Sequence, residues 1–361
     1  MDIPIPITMK AWTHTQAGLP KNVLHLTEIA TPTISTPTEV LVRITHCSLN
    51  PGGSIFMQLV PGFFRGNPAI PEMDFSGVVV QSGNGTSTDR NLVKGTLVFG
   101  SIPVGQHFKK TSGALAEYVV VDQSAIVKKP DGASLAEVAG LGVAGATALK
   151  VVKAGKLKKG DSVLVNGASG GIGHMVAQMA KAQVGETGRV VGVCSASNVD
   201  WLKEYGCDET IDYTHHTPVH AHLASTYSES RFNVVLDAVG IQPIFEHCSR
   251  YLVDGGSYVT VGPKAKSYTV LGMLSTIRLM ATNLLWPRVL GGVARNYVQV
   301  TATSDLEALT ELGNQVEEKK LKVLVGGTHS MVDAIQAYDQ LLSGHARGKI
   351  VVQVQELERG Q

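Results

Sequence analysis

DSVLVNGASGGIGHMVAQMAKAQ, residues 161–183, is a short apolar run, a glycine-rich turn and a helix-forming stretch, in that order. The apolar run has no polar alternation, as expected of a parallel strand buried on both faces. Gly167, Gly170, Gly171 and Gly173 clear side chains from the turn. Backbone N–H groups and the helix N-terminus can then approach a pyrophosphate, with Ser169, Gly170, Gly171 and Ile172 as the contacting residues. RVVGVCS supplies the next strand, so strand, loop, helix and strand occur at dinucleotide-binding spacing.

Outward from this stretch the alternation continues. NVDWLKEYG reads as a second helix, ETIDY as a third strand, and FNVVLDAVG and GSYVTVG as further strands. Such alternation predicts an α/β, doubly wound parallel sheet of the Rossmann type. The second strand ends in Cys194-Ser195-Ala196-Ser197-Asn198, with no Asp or Glu to hold ribose hydroxyls or repel a 2′-phosphate. Ser195, Ser197 and Asn198 therefore point to NADPH rather than NADH.

Before residue 130 the pattern is different. VLVRITHCSLN, SGVVVQSG, GTLVFG and AEYVVVD are short β-branched runs separated by Gly, Pro and Asn, an irregular β domain. KKPDGASLAEVAGL then opens a helix, with Ser134 and Glu137 as a capping box. Near the other end, Ser304 and Glu307 suggest a second capping box, ahead of a helix carrying Leu306, Leu309 and Leu312. A helix from about Met331 to Leu342 and the strand GKIVVQV follow. The expected organisation is 1–130 and 303–361 forming the β domain, with 131–302 inserted as the nucleotide-binding domain.

A chain of 361 residues exceeds one ordinary hydrophobic core. Its net charge of +1 gives no reason to expect nucleic acid as a partner. Four scattered cysteines without a Cys-x-x-Cys pair read as reduced thiols, and the N-terminus shows no basic, apolar leader, so a cytoplasmic protein is expected. The apolar Val270–Trp286 segment is interrupted by Arg278 and Asn283, which favours a buried or interfacial helix over a membrane span; peripheral membrane contact stays open. THHTPVHAH, around His215–His222, reads as a solvated loop because Pro218 interrupts it. His46 and Cys47 read as packing residues, and Ser169 as part of the glycine loop rather than a hydrolytic nucleophile.

The whole chain resembles the medium-chain dehydrogenase/reductase superfamily, and within it the zinc-independent quinone oxidoreductase and alkenal/enone reductase branch. SLNP at Ser48–Pro51, DFSGVV at Asp74–Val79, GALAEYVVV, GVAGATAL, NGASGGIG, GCDETIDY, VLDAVG and GHARGKIVV carry the resemblance in order. It implies a Rossmann domain inserted into a GroES-like irregular β domain. Asn50 and Met73 stand where zinc-dependent relatives place Cys and His, and an amide with a thioether cannot replace them around catalytic zinc. No metal is expected.

The resemblance further implies Asn50 and Thr147 near the nicotinamide and its ribose, and Tyr213 on the 2′-phosphate side. Val239, Gly262 and Pro263 should line the cofactor groove, with Lys349 nearby. Asn50-Pro51-Gly52-Gly53 departs from the pattern, because relatives commonly carry an acid three places after the asparagine. Phe56, Phe63, Phe64, Met280 and Trp286 are apolar candidates for a substrate pocket. The expected activity is NADPH-dependent reduction of an α,β-unsaturated carbonyl or a quinone, by a monomer or homodimer. The alternatives are an enoyl reductase acting on a carrier-bound or specialised metabolite, and a non-catalytic NADPH-binding protein.

Overall fold

The computed structural model describes residues 4–60, 64–109, 111–265, 267–285, 293 and 295–357. The chain divides into two compact units. One comprises Met1–Ala146, Thr303–Lys319 and Val323–Gln361; the other comprises Thr147–Ala302 and Lys320–Lys322.

The first unit opens with β1 (Thr8–Thr13), α1 (Pro20–Val23) and β2 (His25–Ala30), where β1 and β2 form an antiparallel pair. β3 (Glu39–Ser48), α2 (Pro51–Leu59), β4 (Asp74–Ser82), β5 (Leu97–Ser101), α3 (Val104–Lys109), β6 (Tyr118–Asp122) and β7 (Ile126–Lys128) follow. Only His46 of β3 escapes full burial, which is why its β-branched run lacks alternation. Val40, Val42, Ile44, Phe75, Val79 and Val98 pack in the core beneath it, each contributing about 1.5–3 kcal/mol by leaving water.

α4 (Leu135–Ala139) begins at Ser134, and the expected capping box with Glu137 is present. This part of the unit extends to Ala146 rather than stopping at 130. The reason is local bonding: Ser76 Oγ donates to Leu135 O at 2.7 Å, and Val143 N donates to the Asp74 carboxylate at 2.8 Å.

The second unit runs through α5 (Ala146–Gly155), β8 (Ser162–Asn166), α6 (Gly173–Val184), β9 (Arg189–Cys194), β10 (Glu209–Asp212), α7 (Val219–Thr226), β11 (Phe232–Asp237), α8 (Gln242–Glu246), β12 (Leu252–Thr260), α9 (Val270–Leu285) and β13 (Asn296–Gln299). Its six strands are parallel in the order β10-β9-β8-β11-β12-β13. The chain travels outward from β8 in one direction and from β11 in the other. The loops after β8 and β11 therefore flank the switch point, where open α/β sheets bind ligands.

Three local readings need correction. NVDWLKEYG is not a regular helix but two short 3₁₀ turns, Ala196–Asn198 and Trp201–Tyr205. The Asn198 side chain donates to Ser195 Oγ at 2.8 Å and accepts from Trp201 Nε1 at 2.9 Å, side-chain bonds of the kind that compete with helix. The histidine segment is an exposed loop, as expected, only as far as Pro218. That proline caps α7, where its missing N–H is no loss, and the rings of His216 and His222 stack at 3.8 Å. Of the buried and interfacial readings of α9, the buried one does not hold: Val270, Leu271, Leu274, Ile277, Leu284 and Leu285 are exposed. Among the described residues, no helix is long and apolar enough to cross a membrane.

The chain returns to the first unit through α10 (Leu306–Glu317), β14 (Val325–Ser330), α11 (Ala334–Leu342) and β15 (Lys349–Gln353). The expected Ser304 capping box is replaced by Asp305, whose carboxylate accepts from Ala308 N at 2.9 Å. Ser304 Oγ is buried without a partner among the described residues. β15 lies between β14 and β3 in a sheet ordered β14-β15-β3-β4-β5-β7, with β6 also on β3. Its KIVVQ run is buried through Val352, as an inner strand requires.

Candidate active site

In the second unit, β8 delivers the chain into the glycine turn. Gly167 adopts φ 73°, a left-handed conformation that glycine accepts without strain. A Cβ at Gly173 would lie 2.0 Å from Gly167 O, so the turn closes on itself only with glycine at its far end. Ser169, Gly170, Gly171 and Ile172 stand half-buried on this turn, ahead of α6. The cradle lacks the Cβ atoms that would fill it, and it fits a pyrophosphate.

The loop after β11 is fixed by one side chain. Asp237 is buried, and its Oδ1 accepts from Asn166 Nδ2 at 2.8 Å and from the Val239 and Gly240 amides at 2.9 Å each. Its Oδ2 accepts from Tyr258 OH at 2.6 Å. Four donors thus hold one carboxylate and set the Val239–Gly240 turn. Gly262 and Pro263 follow β12, and Gly262 N donates to Thr260 Oγ1 at 3.1 Å.

At the end of β9, Ser195 Oγ lies 3.4 Å from Ser197 Oγ and accepts from Asn198. These three side chains are neutral hydroxyl and amide groups. Tyr213, just past β10, is partly exposed, and its amide donates to Cys194 O at 2.9 Å. Thr147 is buried in the first turn of α5. Met280 lies on α9 and is half-buried.

The first unit holds a different kind of site, a buried polar cluster. Asn50 caps α2 and extends from β3. Its Nδ2 donates to Asp74 Oδ2 at 2.9 Å, while its Oδ1 accepts from Lys349 Nζ at 2.7 Å. Lys349 Nζ also donates to Leu49 O at 3.0 Å. One amide thus links a buried cation to a buried anion. Beside it, Glu72 Oε2 accepts from Asn50 N at 3.0 Å, and Glu72 Oε1 accepts from Tyr338 OH at 2.7 Å. All five side chains are buried.

Burial dominates the proton affinities here. It raises Glu72 to about 7, against the pull of Tyr338, the Asn50 amide and Lys349. Burial also raises Asp74, opposed by Lys349 and the Asn50 amide, and it lowers Lys349, opposed by Asp74 and Glu72. Cys47 is pushed well above the usual thiol range by burial and by the two carboxylates, which makes it an inert packing residue. His46 is lowered by burial and contacts Thr45.

Asn50 and Lys349 were both expected near the site, and the structure joins them directly. The sequence reading missed Glu72, Tyr338 and the role of Asp74. Two acids embedded in PEMDFSGVV against a β-run were the available signal, because buried charges need partners. Phe56 packs edge-on against Phe108 at 5.0 Å, whereas Phe64 is exposed. Phe63 and Trp286 lie outside the described residues.

A catalytic zinc does not fit this cluster. Asn50 and Met73 stand where a thiolate and an imidazole would be required, and the Lys349 ammonium already supplies the positive charge between the acids. Among the described residues, no group of three or more His, Cys, Asp or Glu is placed to hold a metal.

Residues 36–131 match the model of the alcohol dehydrogenase GroES-like domain, and residues 205–352 that of the zinc-binding dehydrogenase. Over 97% of its length the chain is 32% identical to a trans-enoyl reductase, poxH, from Penicillium oxalicum, covering 98% of that protein. It is likewise 32% identical to the medium chain reductase pydE from an Acremonium species, over 96% of this chain and 99% of the other. The solved quinone oxidoreductase from Coxiella burnetii superposes with a TM-score of 0.76 at 27% identity, over 96% of this chain and all of that one.

Proposed function

Because this chain belongs to the medium-chain dehydrogenase/reductase superfamily, in its zinc-independent quinone and enoyl reductase branch, we propose that it reduces the activated carbon–carbon double bond of an α,β-unsaturated carbonyl compound. It is an NADPH-dependent oxidoreductase acting on small molecules. The observation that carries the proposal is the Asp74–Asn50–Lys349 chain, a metal-free polar cluster in which the amide is held at both ends. Alcohol oxidation in this superfamily uses a Lewis acid to acidify the hydroxyl, and the donor set here cannot bind one. Reduction of a polarised double bond needs no Lewis acid: it asks for a donor to the carbonyl oxygen, where negative charge develops as hydride reaches the β-carbon, and for a proton from solvent to complete the α-carbon.

When bound, NADPH supplies the hydride. Ser169, Gly170, Gly171 and Ile172 would hold its pyrophosphate, and Ser195, Ser197, Asn198 and Tyr213 its 2′-phosphate side. Thr147, Val239, Gly262 and Pro263 would line the path to the nicotinamide. Asn50 retains one amide hydrogen engaged only by a long 3.4 Å contact to Ser48 O, and this is the donor available to a substrate oxygen. Lys349 and Asp74 orient that amide. Phe56, Phe64 and Met280 are the apolar candidates among the described residues for flanking the substrate. Relatives named as trans-enoyl reductases support an enoyl substrate, and the similarity to a solved quinone oxidoreductase over 96% of the chain is the reason quinones belong in the test.

The test is NADPH oxidation with a crotonyl thioester, small enones and quinones, with NADH as comparator. Turnover of the thioester or enones is expected. Turnover of quinones alone would overturn the double-bond reading. In the same assay, Ser195→Asp should reverse the cofactor preference by raising KM for NADPH on the order of tenfold, since a carboxylate there repels the 2′-phosphate. An unchanged preference would remove Ser195 from the cofactor site.

A further inference from the structure

Two residues in the first unit are each unfavourable where they stand. Glu72 adopts φ 66°, a left-handed conformation suited to glycine and strained for other residues. Gly53 lies in the first turn of α2, and glycine is a poor helix former. Each explains the other. A Cβ at Gly53 would sit 2.2 Å from Glu72 Oε1, 2.6 Å from its Cδ and 2.8 Å from its Oε2. The Glu72 carboxylate occupies the volume into which a side chain at position 53 would grow.

We propose that Glu72 is a positioning residue that supplies, from position 72, the carboxylate that a side chain at position 53 would otherwise bring to the start of α2. Placing an acid at 53 and glycine at 72 would fill the same volume with neither local cost. The reversed arrangement brings the carboxylate in from outside α2. From there it accepts the Asn50 amide with one oxygen and the Tyr338 hydroxyl of α11 with the other. Asn50 is consequently held twice, through its side chain by Asp74 and Lys349, and through its main chain by Glu72. Since the inference rests on Asn50 acting as the amide donor in the proposed reaction, Glu72 acts on catalysis through Asn50.

The experiment is a double-mutant cycle on the full-length protein with Glu72→Gly, Gly53→Asp and the pair together, read in unfolding temperature and in kcat and KM for an enone. Each single variant should lower the unfolding temperature. Glu72→Gly should lower kcat on the order of tenfold with a smaller change in KM. The pair should recover most of both losses. Glu72→Gln keeps an acceptor for the Asn50 amide while the Tyr338 hydroxyl turns to accept, so it should stay near the wild-type kcat. If Glu72→Gly does not fold, folding of the pair is itself the recovery expected. Additive losses would overturn the inference. Recovery of stability with kcat untouched in every variant would overturn the positioning role, as would a Glu72→Gln loss equal to that of Glu72→Gly. Should the wild-type protein reduce no enone or enoyl thioester, the substrate assignment fails. The cycle, read then in quinone reduction and unfolding temperature, still decides the pairing of 72 with 53.

Discussion

Replacing Lys349 by methionine is expected to destabilise the first unit by about 3–5 kcal/mol, read as a fall in the urea-unfolding midpoint. Methionine matches the aliphatic stem, so the loss isolates the ammonium. Leu49 O and Asn50 Oδ1 lose their donor, and the buried carboxylates of Glu72 and Asp74 lose the one cation acting on both. The pH dependence carries a sign. Glu72 holds its proton to about 7 in the folded chain against an ordinary value of 4.5. Between those values the native state binds a proton that the unfolded state has released, so stability falls as pH rises through the window. Without Lys349 both acids retain protons to higher pH, and the window widens. The deficit of Lys349→Met should therefore grow as pH rises through about 7. A deficit independent of pH would mean that the ammonium does not compensate these acids.

The second large effect belongs to the glycine turn. Gly173→Ala should weaken NADPH binding on the order of a hundredfold, measured by fluorescence titration. The new Cβ would meet Gly167 O at 2.0 Å, Gly167 C at 2.7 Å and Ala168 Cα at 2.9 Å. All three are backbone atoms, so no rotamer change relieves the contact and the pyrophosphate cradle itself must move. Gly170→Ala, which also lies in the cradle, separates its shape from its fold and is read in unfolding temperature, expected to be unchanged. Its Cβ finds only Gly167 O, at an ordinary 3.4 Å, and the nearby fold should be undisturbed. Equal affinity for wild type and Gly173→Ala would show that the turn tolerates a shift and does not set the site.

What could be read before the structure was whatever local chemistry writes into consecutive residues. The continuous apolar run at β8, the glycines after it and the Ser134–Glu137 capping box are of this kind, and each took the expected form. Where two local signals competed, the neighbouring one decided. Asp305 displaced Ser304 as the cap, and the Asn198 side chain held its segment in short turns. The polar cluster was illegible for a different reason. Tyr338 and Glu72 are 266 residues apart, and Lys349 and Asn50 are 299 apart, so no periodicity or spacing connects them. The family resemblance alone brought Asn50 and Lys349 into one neighbourhood, and for Glu72 and Tyr338 only the anomaly of charged residues within apolar strands hinted that partners existed. The carboxylate at Glu72 also replaces a side chain missing from Gly53, an exchange visible only in three dimensions.

The place of β15 in its sheet has a consequence for how the molecule is made. The strand that carries Lys349 is inserted between β14 and β3, although β3 belongs to the first fifty residues. A ribosome adding about 5–20 residues per second reaches Lys349 tens of seconds after Asn50. Meanwhile the contiguous Thr147–Ala302 segment has everything its own parallel sheet requires. The nucleotide-binding unit can mature while the earlier strands wait with two acids uncompensated. The last strand then closes the sheet and brings the cation to its acids in one step, so a polypeptide cut short before residue 349 would assemble the parallel sheet and its glycine turn but not the buried polar cluster.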